Sequence, residues 1–311
     1  MKYYIQASLF QVIFVLVLAS FVQAGSNTEM ALGSRSYSLG QVATISYSDI
    51  LNSINNPSSL SKDDKYTFSL YYSEPLDDSR NASTGFSIPT DYYGTFGLSY
   101  YYFILDDISG IDIDQNKMSS ISWSQKQYVI SWANQIYDLI SYGINAKWLL
   151  DSFSNDNTSY IRTDHIGIDF SFSISPNINI TGFKNLGIGF TLKNLIQVND
   201  DHEYLPKEFR FIAEKSARFD SNSLFFIFNY SRYEIFKNNY HSNLHFGLEY
   251  GYKFLFIRVG HNNNLSHKND HFSLGIGIKY NLFKLDYGFG NYLYYDDFDQ
   301  PVHNITLSFE I

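Results

Sequence analysis

Phe272-Ser273-Leu274-Gly275-Ile276-Gly277-Ile278-Lys279-Tyr280 alternates without a break between apolar and small or polar residues. On a β-strand successive side chains point to opposite faces, so this stretch has one apolar face and one face of serine, glycine and lysine. The same period of two returns in Tyr66 to Ser73, Ile166 to Ile174, Leu186 to Lys193, Leu244 to Gly251 and Asn304 to Ile311. Strand after strand with one apolar face predicts an all-β chain.

Working outward from these stretches, strand starts fall near residues 66, 82, 94, 121, 138, 160, 186, 207, 223, 241, 253, 271, 283 and 302. That pattern predicts about fourteen strands of roughly 9 to 11 residues, the length of a tilted membrane strand. Connectors alternate in length. Tyr252-Lys253 and Asn281-Leu282 are short, whereas Asp106 to Lys117, Ser152 to Ser159, Gln197 to Pro206, Asn262 to Asn269 and Tyr294 to Pro301 are long and polar. Short turns on one side and long loops on the other are the pattern of an outer-membrane barrel. Tyr100-Tyr101-Tyr102-Phe103 and Tyr292 to Tyr295 read as pieces of interfacial aromatic girdles. The chain ends inside its last alternating strand, with Phe309 and Ile311 in the apolar row, as expected of a strand that closes a barrel. A soluble β-sandwich also alternates, but its strands are shorter and its outer faces carry more Lys and Glu.

Composition agrees. Aromatic residues make up 18 % of the 311, yet only 17 % are charged and the mean hydropathy is −0.21. A wall in which every second residue faces lipid has that balance, whereas helical spans need about 20 consecutive apolar residues. The net charge of −9 disfavours nucleic acid as a partner. With no cysteine, disulfides, thiolate metal sites and a lipidated N-terminal cysteine are excluded. Residues 1–24 read as a cleavable signal peptide: Lys2 is followed by the apolar run Val12 to Leu18 and the small-residue site Val22-Gln23-Ala24.

Between leader and first strand, Ala31 to Leu60 is small, polar and weakly periodic, with a short helix expected within Ser48 to Ile54 before Asn55-Asn56-Pro57. Leu32-Gly33-Ser34-Arg35 with Leu39-Gly40, and Asn56-Pro57-Ser58-Ser59-Leu60, resemble N-terminal signatures of the PorV/PorQ-like outer-membrane proteins. Those proteins are associated with type IX secretion and related to FadL-type transporters. Further matches in the family's order are Tyr72-Ser73-Glu74, Gly143 to Lys147, Gly187 to Phe190 leading to Lys193-Asn194-Leu195, Leu205 to Arg210, and His303 to Phe309. Ser58-Ser59 stands where the family has Ala-Gly. The resemblance implies a FadL-like transmembrane antiparallel barrel over residues 66–311 and a hatch over 25–65. Arg35, Asn56, Pro57 and Leu60 are then the candidate hatch and lumen residues.

Catalytic motifs are not evident: there is no phosphate loop, His-Glu-x-x-His or Gly-x-Ser-x-Gly, so no enzyme and no cofactor are expected. Eight histidines are scattered, and His241 and His245 sit two strand periods apart, so no metal centre is assigned. Asp106, Asp107, Asp112 and Asp114 form an oxygen-rich group that could serve as a loop cation site. They lack the EF-hand spacing, and a solvated loop, which needs no further reason, is the preferred reading.

The expected location is the bacterial outer membrane, with its lipid as one partner. The resemblance implies an accessory or cargo-binding role in secretion, with secreted proteins or secretion subunits as partners. The alternative it implies is a FadL-like channel for hydrophobic small molecules. A structural or general-porin barrel is the third reading. A lumen polar throughout counts against the channel for apolar compounds.

Overall fold

A computed structural model describes residues 32–47, 49–75, 78–111, 117–155, 158–175, 185–199, 205–236, 239–266, 269–291 and 301–311. The signal-peptide expectation lies outside them. Fourteen strands form one closed antiparallel barrel: β1 (Thr67–Glu74), β2 (Ser79–Thr90), β3 (Gly94–Ile111), β4 (Lys117–Ile136), β5 (Ile140–Asn155), β6 (Thr158–Ile174), β7 (Leu186–Asn199), β8 (Glu208–Phe219), β9 (Asn222–Phe236), β10 (Asn239–Tyr252), β11 (Leu255–Asn264), β12 (Asn269–Tyr280), β13 (Phe283–Asn291) and β14 (Pro301–Glu310). Each strand pairs with its sequence neighbours, and β14 closes on β1 through eight residue pairs from Thr67↔Glu310 to Glu74↔His303. Tyr66 and Ile311 exchange both backbone hydrogen bonds, at 3.0 and 2.8 Å. No edge remains there, which a bilayer demands of any spanning sheet.

The strands run from 8 to 20 residues, longer than the expected 9 to 11 in the region β3–β6. Segments expected as loops, such as Asp106 to Ile111 and Gln197 to Asn199, continue the ladder instead. Polar residues there do not end a strand, because cross-strand hydrogen bonding is indifferent to side-chain polarity. The Tyr100 to Phe103 run likewise sits within β3 and not at its end. The second aromatic cluster, Tyr292 to Tyr295, lies outside the described residues.

The amphipathy is inverted relative to a soluble protein. In β1 the inward row is Thr67, Ser69, Tyr71 and Ser73, all buried, while Phe68, Leu70 and Tyr72 are exposed outward. β10 and β14 repeat this arrangement. Polar side chains inside and apolar ones outside suit a wall facing lipid.

Residues 32–47 and 49–65 fill the part of the lumen nearest the start of β1 and the end of β14. They form helix α1 (Ser34–Ser38), helix α2 (Ile50–Ser53) and a 3₁₀ turn η1 (Pro57–Lys62). Asp49 caps α2 by accepting from the Leu51 N–H at 3.0 Å. Leu39, Val42, Ile45, Leu51 and Leu60 are fully buried. Their close approach depends on glycines in the inward rows. A Cβ at Gly143 would lie 2.5 Å from the Pro57 carbonyl carbon, one at Gly247 2.7 Å from the Leu39 carbonyl oxygen, and one at Gly85 2.7 Å from Ile50. Glycine in a strand often marks such an approach of another backbone.

Gly143→Val is expected to push η1 off the wall while leaving the barrel closed. Heat-modifiable electrophoretic mobility should be retained, and protease cleavage within residues 55–65 should accelerate. An unchanged cleavage rate contradicts the contact.

Candidate functional site

Two features stand out in the lumen: a polar system that fastens the N-terminal segment, and an aromatic wall above it. The fastening begins at Arg35 of α1, whose Nε and Nη2 donate to Glu249 Oε2 and Oε1 at 2.9 and 3.0 Å. Glu249 also accepts from Arg258 Nε at 2.6 Å. Arg258 continues to Asp286 at 2.7 Å, and Asp286 to Lys284 at 2.7 Å. The Tyr47 ring lies 3.9 Å from the Arg35 guanidinium carbon and 4.2 Å from the Lys284 ammonium. Three cations and two carboxylates thus form one chain across β10, β11 and β13, with an aromatic face covering the surplus positive charge. Burial opposes the charge on Arg35, but Glu249 outweighs it and holds the guanidinium above its ordinary range.

A second chain lies across the lumen. Lys147 pairs with Asp169 at 2.7 Å, and Asp169 accepts from the Asn194 backbone N–H at 2.8 Å. Lys193 donates to Asn55 Oδ1 at 2.8 Å and pairs with Glu208 at 3.1 Å, which Arg210 meets at 2.6 Å. Between the two, Glu214 accepts the backbone N–H groups of Ile45 and Ser46 at 2.8 and 2.7 Å. His245 Nδ1 contacts the Gly40 carbonyl at 2.8 Å. Buried carboxylates and cations are costly alone, and here each has a partner.

The residues singled out in sequence take these places. Arg35 is the bidentate partner of Glu249. Asn56 donates to the Thr44 carbonyl at 2.8 Å and accepts from the Ser58 hydroxyl at 2.8 Å, holding two stretches of the segment together. Pro57 opens η1 with its carbonyl against Gly143, and Leu60 is fully buried. Asp106 pairs with the exposed Arg80 at 2.6 Å. The side chains of Asp107, Asp112 and Asp114 lie outside the described ones. Among the described residues no group of His, Asp or Glu is arranged to hold a metal ion.

Sequence reading missed the aromatic wall. Tyr101 and Phe103 of β3 face inward and are buried. Phe103 meets Trp123 of β4 edge-on at 5.3 Å, and Trp123 stacks on Phe153 of β5 at 6.1 Å. Tyr71, Val129 and Leu105 extend this surface, which is continuous below with Leu32, Ile50, Leu51, Ile54 and Leu60. Phe153 is 41 % exposed, so the wall opens toward the end of the barrel away from the end of β14. A signal was present. Tyr100 to Leu105 is apolar on both faces, so it cannot have lipid outside and polar lumen inside. Leu224 to Phe228 breaks alternation for a related reason: its inward members Phe225 and Ile227 pack on Leu39, Val42 and Ile45.

No protein-family model and no curated protein matches the sequence. Solved structures do match in fold. The Pseudomonas putida toluene transporter TodX aligns with a TM-score of 0.61 at 9 % identity, over 94 % of this chain and 99 % of that one. The Ralstonia pickettii toluene transporter TbuX aligns at 0.59 and 10 % identity, over 91 % and 98 %. The monoaromatic hydrocarbon channel CymD aligns at 0.58 and 11 % identity, over 92 % and 99 %. The fold is that of these transporters and channels. At such identities the likeness is one of architecture.

Two predictions follow from the fastening. Arg35→Ala removes one of the two cations on Glu249 and should cost about 3 kcal/mol of docking, read as raised ion conductance in planar bilayers. Conductance equal to wild type contradicts it. Burial pushes the Asp49 carboxyl up to about 6, against the Leu51 N–H and Ser69 hydroxyl that stabilise its ionised form. Since the folded value lies above the unfolded one, its contribution is complete below about pH 4 and is lost as pH rises through about 6. Asp49→Asn should therefore raise the melting temperature at pH 8 and change it little at pH 4; the opposite order contradicts the assignment.

Proposed function

We propose that this barrel is a FadL-like channel that admits hydrophobic small molecules across the outer membrane, with residues 25–65 acting as its hatch. One observation carries the reading: the inward wall of Phe103, Leu105, Trp123 and Phe153, standing directly on the apolar surface of the N-terminal segment. Aromatic and aliphatic side chains with few polar groups are what a site for apolar ligands requires. A general porin has no use for such a wall, and a plug fastened at Arg35, Glu214 and Lys193 suits low ion leakage better than open diffusion. Architectural likeness to toluene and monoaromatic hydrocarbon channels supports the same reading.

The secretion-accessory role rests on the order of short motifs. In the structure Arg35, Asn56, Lys147, Lys193, Asn194, Glu208 and Arg210, which carry those motifs, are buried in the lumen. Arg35 and Lys193 join the inner segment to the wall, Asn56 braces the segment internally, and the other four pair within the wall. They supply no argument for cargo.

Uptake of radiolabelled toluene by cells expressing the protein tests the proposal. Trp123→Ala and Phe153→Ala should each raise the half-saturating concentration about tenfold, the scale of one well-placed aromatic contact plus its buried area. Unchanged uptake in both variants, or loss of protein export with normal uptake on gene deletion, overturns it.

A further inference from the structure

The outer wall carries a groove that the channel reading does not use. It has a volume of about 450 Å³ and crosses the lipid-facing side of β8 to β12, within the size range of a small-ligand site. Cross-strand register builds it. One row runs Ala213↔Phe228, Phe228↔Phe246, Phe246↔His261, His261↔Phe272. Ring centroids along this row lie 5.2, 6.4 and 4.5 Å apart from Phe228 to Phe272. The adjacent row runs Lys215↔Phe226, Phe226↔Leu248, Leu248↔Val259. Between them the floor is the bare backbone of the paired glycines Gly247 and Gly260. Ala213, a small residue in a row of rings, leaves the end beside Lys215 open.

The groove is apolar along its length except for the His261 ring, and cationic at one end. Five strands span about 19 Å at ~4.8 Å per spacing, more than half of a hydrocarbon core roughly 30 Å thick. Lys215 is exposed and lies four residues before the end of β8, on the side of the barrel that carries the end of β14 and the short turns. A lysine at this depth reaches the headgroup level with its ammonium while its stem lies on apolar surface. We propose that the groove is a binding site for one anionic phospholipid, its acyl chain along the Phe228–Phe246–Phe272 row and its phosphate on Lys215. The occupant follows from the charge: a neutral hydrocarbon has no use for the lysine, and a protein segment would leave its backbone groups unpaired against lipid.

Native mass spectrometry of the full-length, delipidated protein tests the site with two probes of identical acyl chains, phosphatidylglycerol and phosphatidylethanolamine. Wild type should retain one phosphatidylglycerol in preference to phosphatidylethanolamine by about fivefold. Lys215→Gln should abolish the preference, and Ala213→Phe should lower retention of both lipids about tenfold. A Leu98→Phe control on the lipid-facing side of β3, on the opposite wall, should change neither. Heat-modifiable mobility verifies that each variant is folded, and the surface change Lys215→Gln keeps the test decisive if Ala213→Phe is not. Equal retention of the two lipids by wild type, or retention by Ala213→Phe equal to wild type, overturns the proposal.

Discussion

Lipid offers a strand edge no hydrogen bonds, and this constraint governs the whole molecule. It forces β14 onto β1, and closure of fourteen strands creates a lumen too wide for the wall's own side chains to fill. What occupies that lumen decides what the protein can do. Here residues 32–47 and 49–65 occupy the end of the lumen near the start of β1 and the end of β14. They are seated by glycines that let backbone meet wall and fastened by buried ion pairs. The outer rows answer to lipid, the inner rows answer to the segment, and each strand reconciles the two on alternate residues.

The fastening is polar by necessity. An inner wall rich in serine, asparagine and charge cannot hold a plug by apolar contact alone, so Arg35, Asn55 and the backbone of Ile45 and Ser46 meet Glu249, Lys193 and Glu214. Where the inner wall does turn apolar, it does so in two patches with different tasks. Ile212, Phe225 and Ile227 seat the segment. Tyr101, Phe103 and Trp123 rise above it and leave an aromatic surface facing the lumen.

Much of this was legible in sequence. Period-two alternation located the starts of the fourteen strands to within a few residues, because lipid outside and polar lumen inside impose the same pattern on most of the wall. The α2 helix was anticipated within Ser48 to Ile54, ahead of Asn56-Pro57. Strand lengths were underestimated because polar residues such as Ser152 mark a loop only statistically, and its pairing with Ser124 overrode the signal. The partners of Arg35 were not legible: Glu249 is 214 residues away, and nothing local in sequence announces that pairing. The aromatic wall was misread because Tyr100 to Phe103 looks like an interfacial girdle until the register shows half of it turned inward.

The central claim is that the wall of Phe103, Trp123 and Phe153 receives apolar molecules above a closed hatch. Its most direct test is a crystal structure of the protein soaked with bromobenzene, read by bromine anomalous scattering. The account predicts a peak against these three rings inside the barrel. Peaks confined to the lipid-facing surface, with none in the lumen, would contradict it.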